Sequence, residues 1–379
     1  MGNPHTDEVF AVAIRDDLAE SGGGHNQKGV DFQRAWALSR MFHLETSGAS
    51  DFLFLFETVQ DIAELNHSTT PTTINIYQVK KQDRGEWKWG RLTNLPTPGA
   101  KQKKVDARKF KESPIGKLYA SVIAFKDLKS SGTFLSNSGC DLPLEDGGNS
   151  ATSVTCDLSK LKADHLKLLQ SGLANLAIPG LPAPDPALIY VEKTPIHPDA
   201  PATHLHGIAV GFLATRSPTH AGQAKSLIDA LLAEVGPLGA KTDKCSTFEE
   251  LREQRGYSKE QFLSALGSLE TVPDLATLAG KWIDQLTSEG AIDFLQATNI
   301  RLKIASIFKR QVLGGVDSRS QPLINDCDKW LETNTPGATL SKFFTDAENH
   351  LAKLHPLVSK AELTANILLR AVKKCADQA

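Results

Sequence analysis

An acid, an amide and a lysine in the first quarter of the chain have the types and spacing that metal-assisted phosphodiester hydrolysis requires. Asp61 lies near the end of an apolar run, and Gln78 and Lys80 stand two residues apart in a second, alternating run. Residues two apart in a strand share a face, so this amide and ammonium would point one way while Tyr77 and Val79 face the core. Carboxylate and amide oxygens bind a hard cation such as Mg²⁺, and a lysine orients the attacking water or offsets charge in the transition state. The pattern therefore predicts a nuclease site.

Two strands have to position these groups. Residues 52–62 predict one strand that ends in acids, and residues 74–81 predict its neighbour. The short pattern also has a structural interpretation, because any surface strand can carry a glutamine and a lysine. Only the surrounding sequence can distinguish the nuclease interpretation from the structural one.

The first half of the chain alternates helical and extended patterns. A helix is predicted at residues 27–43, after a glycine-rich run that lacks the Gly-Lys-Ser/Thr signature of nucleotide-binding loops and is interpreted as a flexible entry. The alternation predicts a mixed α/β domain with a sheet covered on its faces. Further helices are expected at 113–125 and 158–176, strands at 132–137, 154–158 and 188–192, and an apolar segment at 204–213.

A strip of positive charge begins at Lys80. Residues 80–111 hold 11 lysines and arginines against three acids, although the whole chain has a net charge of −2. Such a strip can neutralise a row of phosphates, while on its own it fits a solvated loop and helix face equally well. Trp87 and Trp89 either stack on bases or pack in the core, which is the commoner fate of aromatic residues beside a strand. The residues predicted to bind DNA are Lys81, Arg84, Lys88, Arg91, Lys101, Lys103 and Lys104.

Histidines and cysteines give weaker signals. His204 and His206 would point the same way on a strand and could bind a metal with His197, but a pair of surface histidines is the favoured interpretation. The five cysteines are widely spread and form no Cys-x-x-Cys pair, which argues against a structural zinc site and favours a reducing compartment. No apolar run is long enough to span a membrane, so a cytoplasmic protein without membrane contact is expected.

The secondary-structure pattern of the sequence changes at about residue 217. Strand signals nearly disappear, and helical periods continue to about residue 376. No heptad repeat is long enough for a coiled coil. This part is predicted to be an all-α domain for assembly or partner binding.

Taken in order, these motifs resemble the double-stranded-DNA endonuclease effector family of bacterial anti-phage systems, a branch of the restriction-endonuclease-like PD-(D/E)xK superfamily. The resemblance covers residues 22–235. It rests on the helix start at 29–33, the strand with Glu57 and Asp61, and Gln78-Val79-Lys80 followed by Trp87. Looser support comes from the segment 134–137 that ends in Ser-Asn and from His206-Gly207.

The resemblance implies a domain plan and a set of site residues. The plan is a flexible lead-in at 1–24, an α/β restriction-endonuclease-like domain at 25–216 and an all-α oligomerisation or partner-binding domain at 217–379. Mg²⁺, with Mn²⁺ as a substitute, would be held by Asp61, Gln78 and Val79, with Lys80 as the catalytic lysine. Gln78 stands where an acid is usual, and an amide holds Mg²⁺ less tightly, so high metal or a second protomer is expected to be needed. Glu57 and Gln33 would complete the catalytic set.

Regulation is expected from the same resemblance. Members of this family serve as nuclease subunits of CBASS, Lamassu and HerA-associated defence systems and are commonly silent until assembled. The helical tail does not look like an α/β nucleotide-sensing domain, so a homo-oligomer working with a separate SMC-like or HerA-type ATPase is expected. The predicted function is Mg²⁺-dependent cleavage of double-stranded DNA with low sequence preference, since no zinc finger or clear helix-turn-helix is present. The alternative is a catalytically silent scaffold subunit that binds DNA or a partner.

Overall fold

The computed structural model describes residues 3–15, 17–18, 27–99, 105–177, 183–239, 245–271, 275–312, 320–336 and 339–376. The chain divides into two compact units. The first contains residues 1–208 and 226–266, and the second contains residues 209–225 and 267–379.

A seven-stranded mixed sheet forms the centre of the first unit. The described residues of this unit form nine strands in two sheets. They are β1 (Leu53–Thr58), β2 (Gln60–Leu65), β3 (Thr73–Lys80), β4 (Trp87–Lys88), β5 (Lys129–Ser136), β6 (Cys140–Asp141), β7 (Thr155–Asp157), β8 (Ile189–Lys193) and β9 (Gly256–Ser258). The order in the large sheet is β7-β8-β5-β3-β2-β1-β9, and β4 pairs with β6 separately. Strands β1, β2 and β3 are antiparallel neighbours, whereas β3, β5 and β8 run parallel.

Helices cover the sheet and then make up the second unit. They are α1 (Pro4–Ala13), α2 (Gln27–Thr46), α3 (Trp89–Thr93), α4 (Ala107–Lys111), α5 (Pro114–Val122), α6 (Ala163–Ala174), α7 (Pro201–Arg216), α8 (Ala224–Val235), α9 (Phe248–Arg255), α10 (Lys259–Thr271), α11 (Leu275–Ser288), α12 (Phe294–Val312), α13 (Gln321–Thr333), α14 (Leu340–Leu354) and α15 (Lys360–Ala376). The predicted α/β part followed by an all-helical region is confirmed. None of the described helices is long and apolar enough to cross a membrane.

Both faces of the sheet are packed. On one face α5 begins at Pro114, after Ser113 caps it by accepting a hydrogen bond from the backbone N–H of Gly116 at 3.0 Å. This helix lies so close to β5 that a Cβ on Gly132 would meet Leu118 at 2.7 Å. On the other face α2 packs against β3, with the rings of Trp36 and Tyr77 4.4 Å apart. The site residues on β2 and β3 therefore lie in the middle of a three-layer arrangement.

The single strand predicted at 52–62 is wrong, because this stretch is a hairpin of β1 and β2 with Val59 between them. Glu57 and Gln60 adopt left-handed backbone conformations with φ of 50° and 65°. Such turns are usually marked by glycine or asparagine, and neither occurs here. The sequence therefore gives no sign of the reversal.

Two later segments also differ from the sequence analysis. The apolar segment 204–213 is part of helix α7, so His204 and His206 point about 200° apart and do not form a strand pair. Residues 256–258 form strand β9, which extends the large sheet beyond β1. This strand belongs to the first unit, which also includes residues 226–266.

In the second unit, α15 is the central helix. Its residues from Leu363 to Leu369 are all buried, together with Ala371 and Val372. A helix that is buried on most sides has other helices around it, and here these are α11, α12, α13 and α14.

Candidate active site

Asp61 and Lys80 meet where β2 runs beside β3. Asp61 is only 2% exposed. The next residue on β2, Ile62, pairs with Tyr77 on β3. The backbone N–H of Val79 donates a hydrogen bond to Oδ2 of Asp61 at 2.6 Å. The Nζ of Lys80 lies 3.3 Å from the same oxygen. The structure thus brings the predicted acid and lysine into direct contact.

Gln78 belongs to a buried row of amides. It is 1% exposed, and its Nε2 donates to Oε1 of Gln60 at 3.3 Å. Gln60 in turn donates to the hydroxyl of Ser121 in α5 at 3.0 Å. The expectation that Tyr77 and Val79 face the core is therefore incomplete, because all three residues are buried in a sheet that is covered on both faces.

Glu57 and Gln33 are the remaining predicted catalytic residues. Glu57 is half-buried at the end of β1, and its backbone carbonyl accepts a hydrogen bond from Nη1 of Arg255. Gln33 is 8% exposed on α2, and its Oε1 accepts no hydrogen bond from the described residues. A buried amide oxygen without a partner is costly and calls for a ligand or water. Gln33 therefore has a buried acceptor that is open to a ligand or a water molecule.

Arg34 is a site residue that the sequence analysis missed. It is 3% exposed on α2, its Nη2 donates to the backbone carbonyl of Leu238, and its guanidinium lies 4.2 Å from the ring centre of Phe56. Burial lowers the pKa of Arg34 to about 10, although the charges of Glu57 and Asp61 act in the opposite direction. A buried cation beside two acids is a common way to hold an anionic site together. The one available signal was a charged residue inside an otherwise apolar stretch of helix.

A cleft of about 430 Å³ opens beside Arg34. Its wall is formed by residues of α2, by the start of α7 and by the end of α8, including Asp31, Arg34, Ala35, Asp199, Pro201 and Leu232. Arg34 thus connects this cleft to the acids at the end of the hairpin.

A family model described as the Cap4 double-stranded-DNA endonuclease domain matches residues 21–236. The chain belongs to this family. The match contains α2 and strands β1, β2 and β3, and so every residue of the candidate site except Leu238 and Arg255. It confirms the predicted membership of an anti-phage double-stranded-DNA endonuclease effector family. Searches of curated proteins and of solved structures gave no match.

The basic residues of this Cap4-family domain are only partly described. Lys81 and Lys88 form ion pairs with Asp83 at 3.3 Å and with Asp141. Arg84 is exposed. The guanidinium of Arg91 lies 4.1 Å from the ring centre of Trp87. Lys101, Lys103 and Lys104 lie outside the described residues.

Both tryptophans that follow β3 pack in the core. Trp87 and Trp89 are each 6% exposed. The indole N–H of Trp87 donates to the hydroxyl of Ser136 at 2.9 Å, and that of Trp89 donates to the carbonyl of Pro96 at 3.1 Å. The core interpretation is therefore confirmed, and base stacking by these rings is wrong.

The donor set of the Cap4-family site fits a hard cation. Asp61 supplies a carboxylate, Gln78 an amide, and Glu57 a second carboxylate at the end of β1. Mg²⁺ is commonly bound through one or two carboxylates and keeps several waters, so these oxygens suit it. The described residues contain no group of three or more His, Cys, Asp or Glu that could hold a metal ion.

Proposed function

We propose that this Cap4-family chain is a metal-dependent endonuclease whose site is built from Asp61 and Lys80. The supporting observation is the buried Asp61 carboxylate, held at 2.6 Å by the N–H of Val79 and at 3.3 Å by Nζ of Lys80. An acid and a lysine fixed on neighbouring strands are what hydrolysis of a phosphodiester requires of a protein. Family membership already gives the chain a double-stranded-DNA endonuclease domain. The contact between Asp61 and Lys80 supports these two residues as its proposed chemical centre.

Each residue has a proposed task. Asp61, with Gln78 and Val79 beside it, would hold Mg²⁺ or Mn²⁺, which polarises a phosphate and lowers the pKa of a bound water. Lys80 is 28% exposed at its side chain, so its ammonium can reach a phosphate oxygen or orient the water while remaining near Asp61. Arg34 and Glu57 would set the local charge around Asp61, and the uncharged Gln33 is proposed to contribute its buried amide oxygen.

The basic residues after β3 are proposed to bind the DNA backbone. Lys81, Arg84, Lys88 and Arg91 follow Lys80 along the chain, so a backbone that they hold is delivered to the site. Contacts of this kind recognise phosphates and carry no sequence information. Low sequence preference is therefore proposed for the cleavage.

The helical unit is proposed to bind a regulatory partner. On α12 the side chains of Phe294, Leu295 and Leu302 are 80%, 67% and 64% exposed. Leu295 and Leu302 are seven residues apart and so lie on one side of the helix. Exposed apolar clusters of this type are typical of contact surfaces. These side chains support a contact surface on α12, and the partner proposed for the oligomer is an SMC-like or HerA-type ATPase.

The proposed function is tested by cleavage of plasmid DNA in the presence of Mg²⁺, Mn²⁺ or EDTA. Lys80→Ala is expected to lower the rate about 10²- to 10⁴-fold, the range for losing a group that acts in the transition state. Lys160→Ala is the matched control, because it removes a lysine that also pairs with an acid, Asp157 at 3.1 Å, but lies on the surface outside the proposed site and the proposed DNA-binding residues. Equal cutting by Lys80→Ala and wild type would refute the proposed site.

The alternative, a catalytically silent scaffold, has one observation in its favour. Gln78 stands in place of a second acid, and the described residues contain no cluster of three acids. A scaffold would bind DNA and leave it intact with either metal, even after reconstitution with its partner.

A further inference from the structure

The turn between β1 and β2 has an uncommon backbone. Glu57 and Gln60, which flank it, both have positive φ values although neither is glycine. Backbone of this kind is strained and persists only where the surrounding structure holds it. Asp61 follows directly, so whatever holds the turn also fixes the position of this acid.

One contact to the turn comes from Arg255, nearly 200 residues further along the chain. Strand β9 pairs with β1, and Gly256 stands opposite Leu55. Arg255 immediately precedes this pair, and its Nη1 donates a hydrogen bond to the backbone carbonyl of Glu57. Strand β9 thus places the guanidinium of Arg255 within hydrogen-bonding distance of Glu57, one of the two strained residues.

A second contact comes from Leu238 and Gly239. A Cβ on Gly239, whose φ is 78°, would lie 2.9 Å from both Cβ and Cγ of Glu57. The carbonyl of Leu238 accepts the hydrogen bond of the buried Arg34, and the N–H of Gly239 lies 3.5 Å from the carbonyl of Gln254. The same segment therefore contacts the side chain of Glu57, the buried arginine and the helix that carries Arg255.

All these contacts lie beyond residue 236, where the match to the family model ends. We infer that Arg255 and Gly239 are positioning residues of the nuclease site, and that they hold the turn which carries Glu57 and presents Asp61. The inference rests on the proposed function for its effect on cleavage. Its effect on the turn itself is independent of catalysis.

The test uses the full chain with two variants and two matched controls. Arg255→Met removes the donor and keeps the length of the side chain, and Arg252→Met changes an arginine one turn earlier on α9. Gly239→Ala adds a methyl group against Glu57. Gly48→Ala imposes the same backbone penalty, with φ of 77° and nothing within 4 Å of the added carbon.

Two quantities are measured for each protein: kcat and KM for plasmid cleavage, and hydrogen exchange of the backbone amides at residues 53–65. We expect Arg255→Met and Gly239→Ala to lower kcat about 10- to 100-fold with KM unchanged, the usual cost of losing a group that orients a site. Exchange at the turn should rise about tenfold, since local opening becomes easier. Arg255→Lys should recover part of kcat, and it also serves if Arg255→Met fails to fold.

Three results would overturn the inference. Exchange and kcat could match those of the two controls, exchange could rise without any loss of kcat, or the loss could appear in KM alone. A wild-type protein that cuts no DNA, or a Lys80→Ala variant that cuts normally, would instead refute the proposed function. The exchange data would then still decide whether Arg255 and Gly239 hold the turn.

Discussion

Strand β2 carries two buried acids three residues apart, and the groups around them are of different kinds. Glu64 is 6% exposed and Asp61 is 2% exposed. The donors to Glu64 are Nε and Nη2 of Arg40 at 2.9 and 3.1 Å, the hydroxyl of Tyr77 at 3.1 Å and Nδ2 of Asn75 at 3.4 Å. The donors to Asp61 include the N–H of Val79 at 2.6 Å and Nζ of Lys80 at 3.3 Å.

The difference shows that burial of a charge does not by itself identify a catalytic group. The guanidinium of Arg40 is a planar fork that fixes the Glu64 carboxylate through two parallel bonds. A lysine is a compact charge on a flexible stem, and it can shift between a carboxylate and a substrate. We therefore propose a structural role for Glu64 and a catalytic role for Asp61.

The largest expected effect separates the two acids by activity. Asp61→Asn should lower the rate of plasmid cleavage about 100-fold or more, because it removes the charge on which the site depends. Glu64→Gln should leave the rate per folded molecule within a few fold of wild type. Single-turnover assays with the folded fraction determined by circular dichroism measure both. Similar losses in the two variants would remove the distinction.

The free energy of unfolding should depend more on the partner of Glu64 than on the partner of Asp61, the reverse of the order expected for activity. Arg40→Met leaves Glu64 buried without its bidentate partner, so the free energy of unfolding should fall by about 2–3 kcal/mol. Lys80→Met should cost less, since Asp61 keeps the bond from Val79. Urea unfolding followed by tryptophan fluorescence provides the measurement. A larger loss for Lys80→Met would contradict this assignment.

Gln78→Glu adds a carboxylate on the strand beside Asp61 and tests whether residue 78 lies close to the proposed metal. In EDTA the variant should lose about 1–3 kcal/mol, because a buried charge replaces an amide that donates to Gln60. Mg²⁺ binds the native state and should restore much of this loss. Melting temperatures with EDTA and with Mg²⁺ test this without any cleavage. A Mg²⁺ effect no larger than in wild type would mean that residue 78 lies away from the metal.

A smaller effect concerns Glu192 on β8. Burial raises the pKa of its carboxyl; Arg40 lowers it and Glu64 raises it further. A raised pKa means that the folded state binds more protons than the unfolded state between the two pKa values. Stability is therefore lost as the pH rises from the ordinary carboxyl range through the folded pKa. Glu192→Gln should be the more stable protein above this window, as measured by urea unfolding at several pH values. Equal stability at all pH values would contradict it.

The smallest expected effect is at the exposed Arg84. Arg84→Ala should reduce the slope of log K against log salt by about 1, the contribution of one phosphate contact, without changing stability. Fluorescence anisotropy with a labelled duplex at several salt concentrations measures this slope. An unchanged slope would remove Arg84 from the DNA-binding surface.

Local patterns in the sequence were sufficient for the first part of the site. An apolar run near an acid, followed by Gln78 and Lys80 at strand spacing, placed Asp61 beside Lys80 because neighbouring strands fix such distances. The change of secondary-structure pattern near residue 217 likewise indicated the helical region. These features depend on short-range periodicity, which a single sequence carries.

Other parts depend on contacts that periodicity does not encode. The reversal at Val59 uses non-glycine residues with positive φ, so no turn residue marks it. Segment 204–213 is short, apolar and poor in β-branched residues, and its helical state is set by the surrounding structure. Arg34 and Arg255 gain their roles from partners 204 and 198 residues away.

The most direct test compares Lys80→Met with Arg40→Met in one cleavage experiment on plasmid DNA with Mg²⁺, corrected for the folded fraction. The account predicts that Lys80→Met is folded and nearly inactive, whereas Arg40→Met is less stable and cuts at close to the wild-type rate per folded molecule. A folded but inactive Arg40→Met together with an active Lys80→Met would contradict it.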